Sequence, residues 1–148
     1  TRRVGADEAM EAVAGYLVVN DVSVREWQRR SPTFTLGKSF DTHGPIGPWV
    51  LTRDEVPAPQ DLRLRTWVNG ELRQDGSTSE MVVPIAEQIA YLSQSTTLEV
   101  GDVITTGTPA GVGAGFDPPR WLVPGDVVRV EIDGVGAIEN RVVSEPGR

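Results

Sequence analysis

Apolar and polar residues alternate along Leu62-Arg63-Leu64-Arg65-Thr66-Trp67-Val68, meet Asn69-Gly70, and resume in Glu71-Leu72-Arg73-Gln74. Period-two alternation is the mark of a half-buried strand, and Asn-Gly tolerates the positive φ of a type I′ turn, so this stretch predicts a β-hairpin. A second hairpin is predicted from Val127–Ile132, Asp133-Gly134 and Ala137–Val143. Tyr16-Leu17-Val18-Val19 and Pro48-Trp49-Val50-Leu51-Thr52 read as short strands. The turns Val100-Gly101-Asp102 and Pro124-Gly125-Asp126 are each expected to introduce a strand. Helical spacing appears in Pro84–Leu92, where proline suits the first turn. A short helix is predicted over residues 7–14, acidic at its start and ended by Gly15, and Val22–Gln28 reads as helical or irregular. The pattern predicts a mainly β chain with minor α (α+β), organised as a single domain over residues 1–148.

Composition narrows the function. A net charge of −7 argues against a nucleic-acid binder, and no apolar run is long enough to span a bilayer. With no cysteine, disulfides and thiolate metal sites are excluded, and a cytoplasmic location is expected. Thirteen arginines stand against one lysine, Lys38. An ammonium approaches one oxygen end-on where a planar guanidinium forks across two, so a lone lysine in a polar turn (Gly37-Lys38-Ser39-Phe40-Asp41-Thr42) marks a position with its own chemistry. The single histidine, His43, precedes Gly44-Pro45 and is given no catalytic role.

Two further segments carry polar groups. In Asn20-Asp21-Val22-Ser23-Val24-Arg25-Glu26-Trp27-Gln28, Asp21 leaves an apolar strand, and Arg25 and Gln28 follow at helical spacing on its face. This set can hold a metal and a carboxylated ligand; equally, Asp21 can cap the following helix beside an Arg25 ion pair. The small residues of Thr105-Thr106-Gly107-Thr108-Pro109-Ala110-Gly111-Val112-Gly113 permit close backbone approach to an anion, or form an ordinary glycine-rich turn. The segment lacks the Gly-Lys-Ser/Thr of a Walker A loop.

Taken in order, Asn20–Gln28, Gly37–Thr42, Leu64–Gly70, Gly101–Gly113 and Pro124-Gly125-Asp126 resemble the C-terminal catalytic module of the fumarylacetoacetate hydrolase family, from about Gly15 onward. The resemblance implies a mixed β-roll, a homodimer, and a divalent cation, Mg²⁺ first with Mn²⁺ or Ca²⁺ as alternatives. It implies 2-oxo or enol acid substrates that undergo isomerisation, decarboxylation, hydration or C–C hydrolysis. By the same resemblance Asp21 is a metal ligand and Lys38 contacts the oxo or enolate oxygen. Thr42 lies near the metal shell and substrate, and Arg25, Gln28 and Thr108 hold the substrate.

The chain also departs from the family pattern. The Glu-x-Glu strand that supplies two further metal ligands, and a His–Glu acid/base pair from a lid, are not found; Glu8 and Glu11 have the wrong spacing. The expectation is a domain lacking its N-terminal part, with weak metal affinity on its own. The favoured activity is isomerisation or decarboxylation of 2-hydroxy-diene or 2-oxo dicarboxylates, as in 2-hydroxyhepta-2,4-diene-1,7-dioate isomerases. The alternatives are acylpyruvate or fumarylacetoacetate-type hydrolysis and a non-catalytic organic-acid-binding module. Asp21 is expected to face Lys38 across a cavity.

Overall fold

A computed structural model describes residues 1–145. The described chain is mostly sheet with few helices, as its alternation predicts. A four-stranded sheet has the order β4-β3-β5-β6, formed by β3 (Arg63–Val68), β4 (Glu71–Ser77), β5 (Val127–Ile132) and β6 (Gly136–Arg141). All its pairings are antiparallel. Two of its seams are local hairpins, while β3 and β5 pair Leu64 with Ile132 and Val68 with Val128. A second, two-stranded sheet pairs β1 (Gly15–Val19) with β2 (Ile46–Thr52).

The first hairpin turn forms as its sequence dictates. Asn69 and Gly70 adopt φ of 52° and 80°, which asparagine and glycine tolerate best. The Asn69 side chain then ties this turn to the start of β5: its Oδ1 accepts from Val127 N at 2.9 Å, and its Nδ2 donates to Asp126 Oδ1 at 2.8 Å. Asp126 Oδ2 also accepts from Val123 N. These bonds to the ionised form hold the Asp126 carboxyl below its ordinary pKa, the Val123 amide contributing most.

Val18, Val56, Val128, Val130 and Val135 form one buried cluster, where β1 meets the inner face of the larger sheet. A smaller cluster packs Ile85 and Ile89 of α3 (Ile85–Ser95) on Ala9. Substantial apolar surface stays outside both: Trp49, Val50, Tyr91, Trp121 and Val123 are all more than half exposed.

Two expected elements differ. Residues 7–14 form only a 3₁₀ turn at Ala9–Ala12. Its Glu8 cap makes no side-chain bond to the free N–H groups, and Ala9 is packed against α3, so docking rather than helical propagation sets the local backbone. The segment after Val100-Gly101-Asp102 has no regular secondary structure and belongs to no sheet among the described residues. The second turn, Pro124-Gly125-Asp126, does lead into β5.

Candidate functional site

β1 ends at Val19, and residues 20–24 continue in neither helix nor strand. The cause is a set of cross-chain bonds: Asn20 N donates to Pro45 O, Val22 N to His43 O and Val24 N to Gly37 O. Asp21 is therefore not on one helical face with Arg25 and Gln28, which corrects the sequence-based placement. Helix α1 covers only Arg25–Gln28, and within it Arg25 Nη1 donates to Gln28 Oε1 at 2.6 Å.

The segment bearing Lys38 lies directly against this one. Helix α2 (Thr35–Lys38) packs on α1 through Gly37, where a Cβ would fall 2.5 Å from Gln28 N and Gln28 Cβ. Only glycine permits that approach. Trp27 and Phe40 close the same junction edge-to-face, with centroids 5.7 Å apart, and the Arg30 guanidinium covers the Trp27 ring. Lys38 is thereby aimed at the end of β1. Its Nζ donates to Asp21 Oδ2 at 2.6 Å and lies 3.4 Å from the Asp21 carbonyl.

Asp21 and Lys38 are thus in direct contact, not facing each other across a cavity. Two concavities stand out elsewhere, one of about 530 Å³ at Arg63, Asp75 and Asp133 and one of about 420 Å³ at Tyr16, Arg53 and Gln60; neither is lined by Asp21 or Lys38. The reason is electrostatic: an ammonium and a carboxylate on adjoining segments neutralise each other at hydrogen-bond distance. Both remain partly open to solvent, at 31% and 45% exposure, so a ligand can reach them.

Of the six expected residues, Asp21 pairs with Lys38 and Arg25 with Gln28, and the two pairs lie on segments that meet where Gly37 packs on Gln28. Thr42 adjoins the Lys38 segment, with a left-handed backbone (φ 66°) next to His43, whose carbonyl holds Val22. His43 Nδ1 lies 2.9 Å from the Asp41 carbonyl and its ring sits by Phe40, a structural placement. Thr108 is held by a different element. It lies in the exposed glycine-rich loop, bonded to Gln74 of β4, with no recorded bond to the Asp21–Lys38 patch among the described residues. Gln74 was not singled out by the sequence, since nothing in a strand glutamine signals a partner 34 residues away.

The donor set tests what the patch can hold. A hard divalent cation takes several oxygen ligands. Asp21 supplies one carboxylate, of which Oδ2 already faces the ammonium, and no group of three or more His, Asp or Glu able to hold a metal occurs among the described residues. The residues present fit such a cation in kind but not in number. Taken alone, they do not make a metal site.

A paired carboxylate and ammonium thus stand just past the end of an antiparallel strand, and an Arg25–Gln28 pair sits on the adjoining helix. The C-terminal domain of the fumarylacetoacetate hydrolase family matches residues 1–143, and the chain belongs to this family. It is 45% identical over 140 residues to the oxaloacetate tautomerase YisK of Bacillus subtilis, covering 95% of this chain and 46% of that protein. The solved structure of 2-hydroxyhepta-2,4-diene-1,7-dioate isomerase from Mycobacterium marinum superposes with a TM-score of 0.86 at 40% identity, over 96% of this chain and 52% of that one. Maleylpyruvate hydrolase from Sphingobium sp. SYK-6, solved with manganese(II) and pyruvate, gives a TM-score of 0.82 at 39% identity, over 96% and 48%. The chain spans about half the length of the curated relatives it matches.

Proposed function

We propose that the whole protein is a divalent-cation-dependent enzyme that isomerises, tautomerises or decarboxylates 2-oxo or 2-hydroxy-diene dicarboxylic acids through an enolate. Mg²⁺ is the favoured cation and Asp21 this chain's contribution to holding it. The observation that carries the reading is the solvent-reachable Asp21–Lys38 contact, fixed from behind by Gly37 on Gln28.

Lys38 is the catalytic residue in this reading. Its ammonium turns from Asp21 to the 2-oxo oxygen of the substrate and stabilises the negative charge that develops there as a base takes a carbon-bound proton, or as CO₂ departs and leaves its bonding pair behind. The charge stands within reach before substrate arrives, and exchanging the Asp21 bond for the substrate oxygen is the only rearrangement this reading asks of it. Arg25, braced by Gln28, pairs with a substrate carboxylate, and Thr42 and Thr108 supply hydroxyls. Enolate stabilisation is common to tautomerases, isomerases and C–C hydrolases. The likeness to a maleylpyruvate hydrolase keeps hydrolysis of acylpyruvates as the second reading. The exposed Trp49, Val50 and Trp121 supply apolar surface for a homodimer contact.

The test is a substrate panel on the full-length protein, with oxaloacetate, 2-hydroxyhepta-2,4-diene-1,7-dioate and an acylpyruvate, with and without Mg²⁺. Metal-dependent conversion of one of the first two is expected. No metal-dependent turnover of any 2-oxo acid overturns the class.

A further inference from the structure

The loop that carries Thr108 is laid against β4 and cannot lift from it easily. Gly111 packs its α-carbon on the Arg73 carbonyl with φ of 104°, where a Cβ would also lie 3.1 Å from Gln74 Cγ. A Cβ on Gly76 would lie 2.8 Å from Pro109 Cβ. Further along the loop, Phe116 is covered by the Arg73 and Arg120 guanidiniums, and Arg120 pairs with Glu71.

At the centre of this contact the Gln74 Nε2 lies 2.8 Å from Thr108 Oγ1 and 2.9 Å from the Pro109 carbonyl oxygen. A carbonyl oxygen only accepts, so the nitrogen of the amide must be the atom that faces it. The amide NH₂ then gives one hydrogen to Pro109 and the other to Thr108. Thr108 Oγ1 is thereby an acceptor on its β4 side, and its own hydrogen is left to point elsewhere. Thr108 is exposed, and it donates to no recorded partner among the described residues.

We infer that Gln74 is a positioning residue that fixes the Thr108 hydroxyl as a hydrogen-bond donor toward a substrate carboxylate. A free hydroxyl rotates and serves donors and acceptors alike; one that already accepts from an amide is biased toward anionic oxygen. Gln74 itself need not touch the ligand. This inference rests on the reading of Thr108 as a substrate-holding residue.

The experiment uses the full-length protein with Mg²⁺ at fixed concentration and L-malate, an unreactive four-carbon dicarboxylate, as probe in titration calorimetry. Thr108→Val is expected to weaken malate roughly ten- to hundredfold, the worth of a hydrogen bond to a charged group, and Gln74→Leu, which frees the hydroxyl without removing it, by a smaller factor of about threefold or more. The double variant should be no weaker than Thr108→Val alone, because Gln74 acts only through the hydroxyl. Thr108→Ser, which keeps the hydroxyl, should bind near wild type and still be weakened by Gln74→Leu. If Thr108→Val binds malate as wild type does, or wild type does not bind it at all, the reading of Thr108 fails and takes the inference with it. If Thr108→Val is weakened but Gln74→Leu is not, or its penalty persists in full beside Thr108→Val, the role of Gln74 is refuted while that of Thr108 stands.

Discussion

Lys38 Nζ lies 2.6 Å from Asp21 Oδ2, joining two segments 17 residues apart in sequence. Because both side chains are partly exposed, water screens the attraction, and an exposed pair of this kind is worth about 0–1 kcal/mol. Its value to the fold is small, so its importance has to be sought in chemistry. Lys38→Met should therefore leave the thermal midpoint within a few degrees of wild type while lowering kcat for oxaloacetate conversion in the full-length protein. Loss of one preorganised group of this type costs about 10²–10³ in rate. Steady-state kinetics beside a melting curve separates the two. Full kcat removes Lys38 from the mechanism, whereas a collapse of the fold would show that the pair carries more stability than its exposure allows.

Gly37 gives the complementary case. Gly37→Ala places a methyl against the Gln28 backbone, and α2 has to move off α1. Overpacking of this sort costs about 1–3 kcal/mol. The shift would carry Lys38 away from Asp21, so activity in the full-length protein should fall together with denaturant midpoint. An unchanged midpoint in urea would mean that the two helices accommodate the methyl.

The single carboxylate predicts weak metal binding by this chain. Titration calorimetry of the 148-residue polypeptide with Mg²⁺ or Mn²⁺ should give no tight stoichiometric heat, and Asp21→Asn should abolish what weak binding there is. Tight 1:1 binding that survives Asp21→Asn would place the cation elsewhere.

Acid stability follows from two carboxylates. Asp75 is held below its ordinary pKa by its bond to Arg63, and Asp126 by the Val123 amide and Asn69. For a group whose folded pKa is depressed, the stabilisation is fully present above the unfolded value of about 3.9 and is lost as pH falls through the lower folded value. Stability should be flat above about pH 5 and decline below about pH 4. Asp126→Asn should make that acid decline shallower and cost about 0.5–1.5 kcal/mol at neutral pH through the weakened bonds to Val123 and Asn69. Urea melts between pH 2.5 and 7 read both effects; an identical acid slope in wild type and variant would show that Asp126 does not contribute.

The elements legible in the sequence were those whose cause is local. Asn69-Gly70 between alternating runs specifies its hairpin, and α3 follows from apolar spacing behind Pro84. The stretch 7–14 misled because alanine favours helix, yet Ala9 packing on α3 leaves room for only a 3₁₀ turn. On a helix, the spacing would put Asp21 on one face with Arg25 and Gln28, but spacing cannot reveal that the His43 and Gly37 carbonyls accept from Val22 and Val24 and hold that stretch out of a helix. Lys38 was conspicuous as the lone lysine; its direct contact with Asp21 depends on the missing Cβ of Gly37, a tertiary fact. Gln74 was invisible because its meaning lies entirely in the loop that folds over it.

The seam between β3 and β5 has a consequence for how the chain assembles. Each flanking hairpin closes over a few residues and can zip on the order of 1–10 μs, whereas Leu64 must find Ile132 across a long intervening stretch. Meeting of the two ribbons is then expected to be slower than closure of either hairpin, since distant pairing costs chain entropy before contacts return it. Trimming Val128 or Val130, which sit buried on that seam, would retard renaturation as well as weaken the folded state, whereas changes at the outer strand β6 would chiefly hasten unravelling.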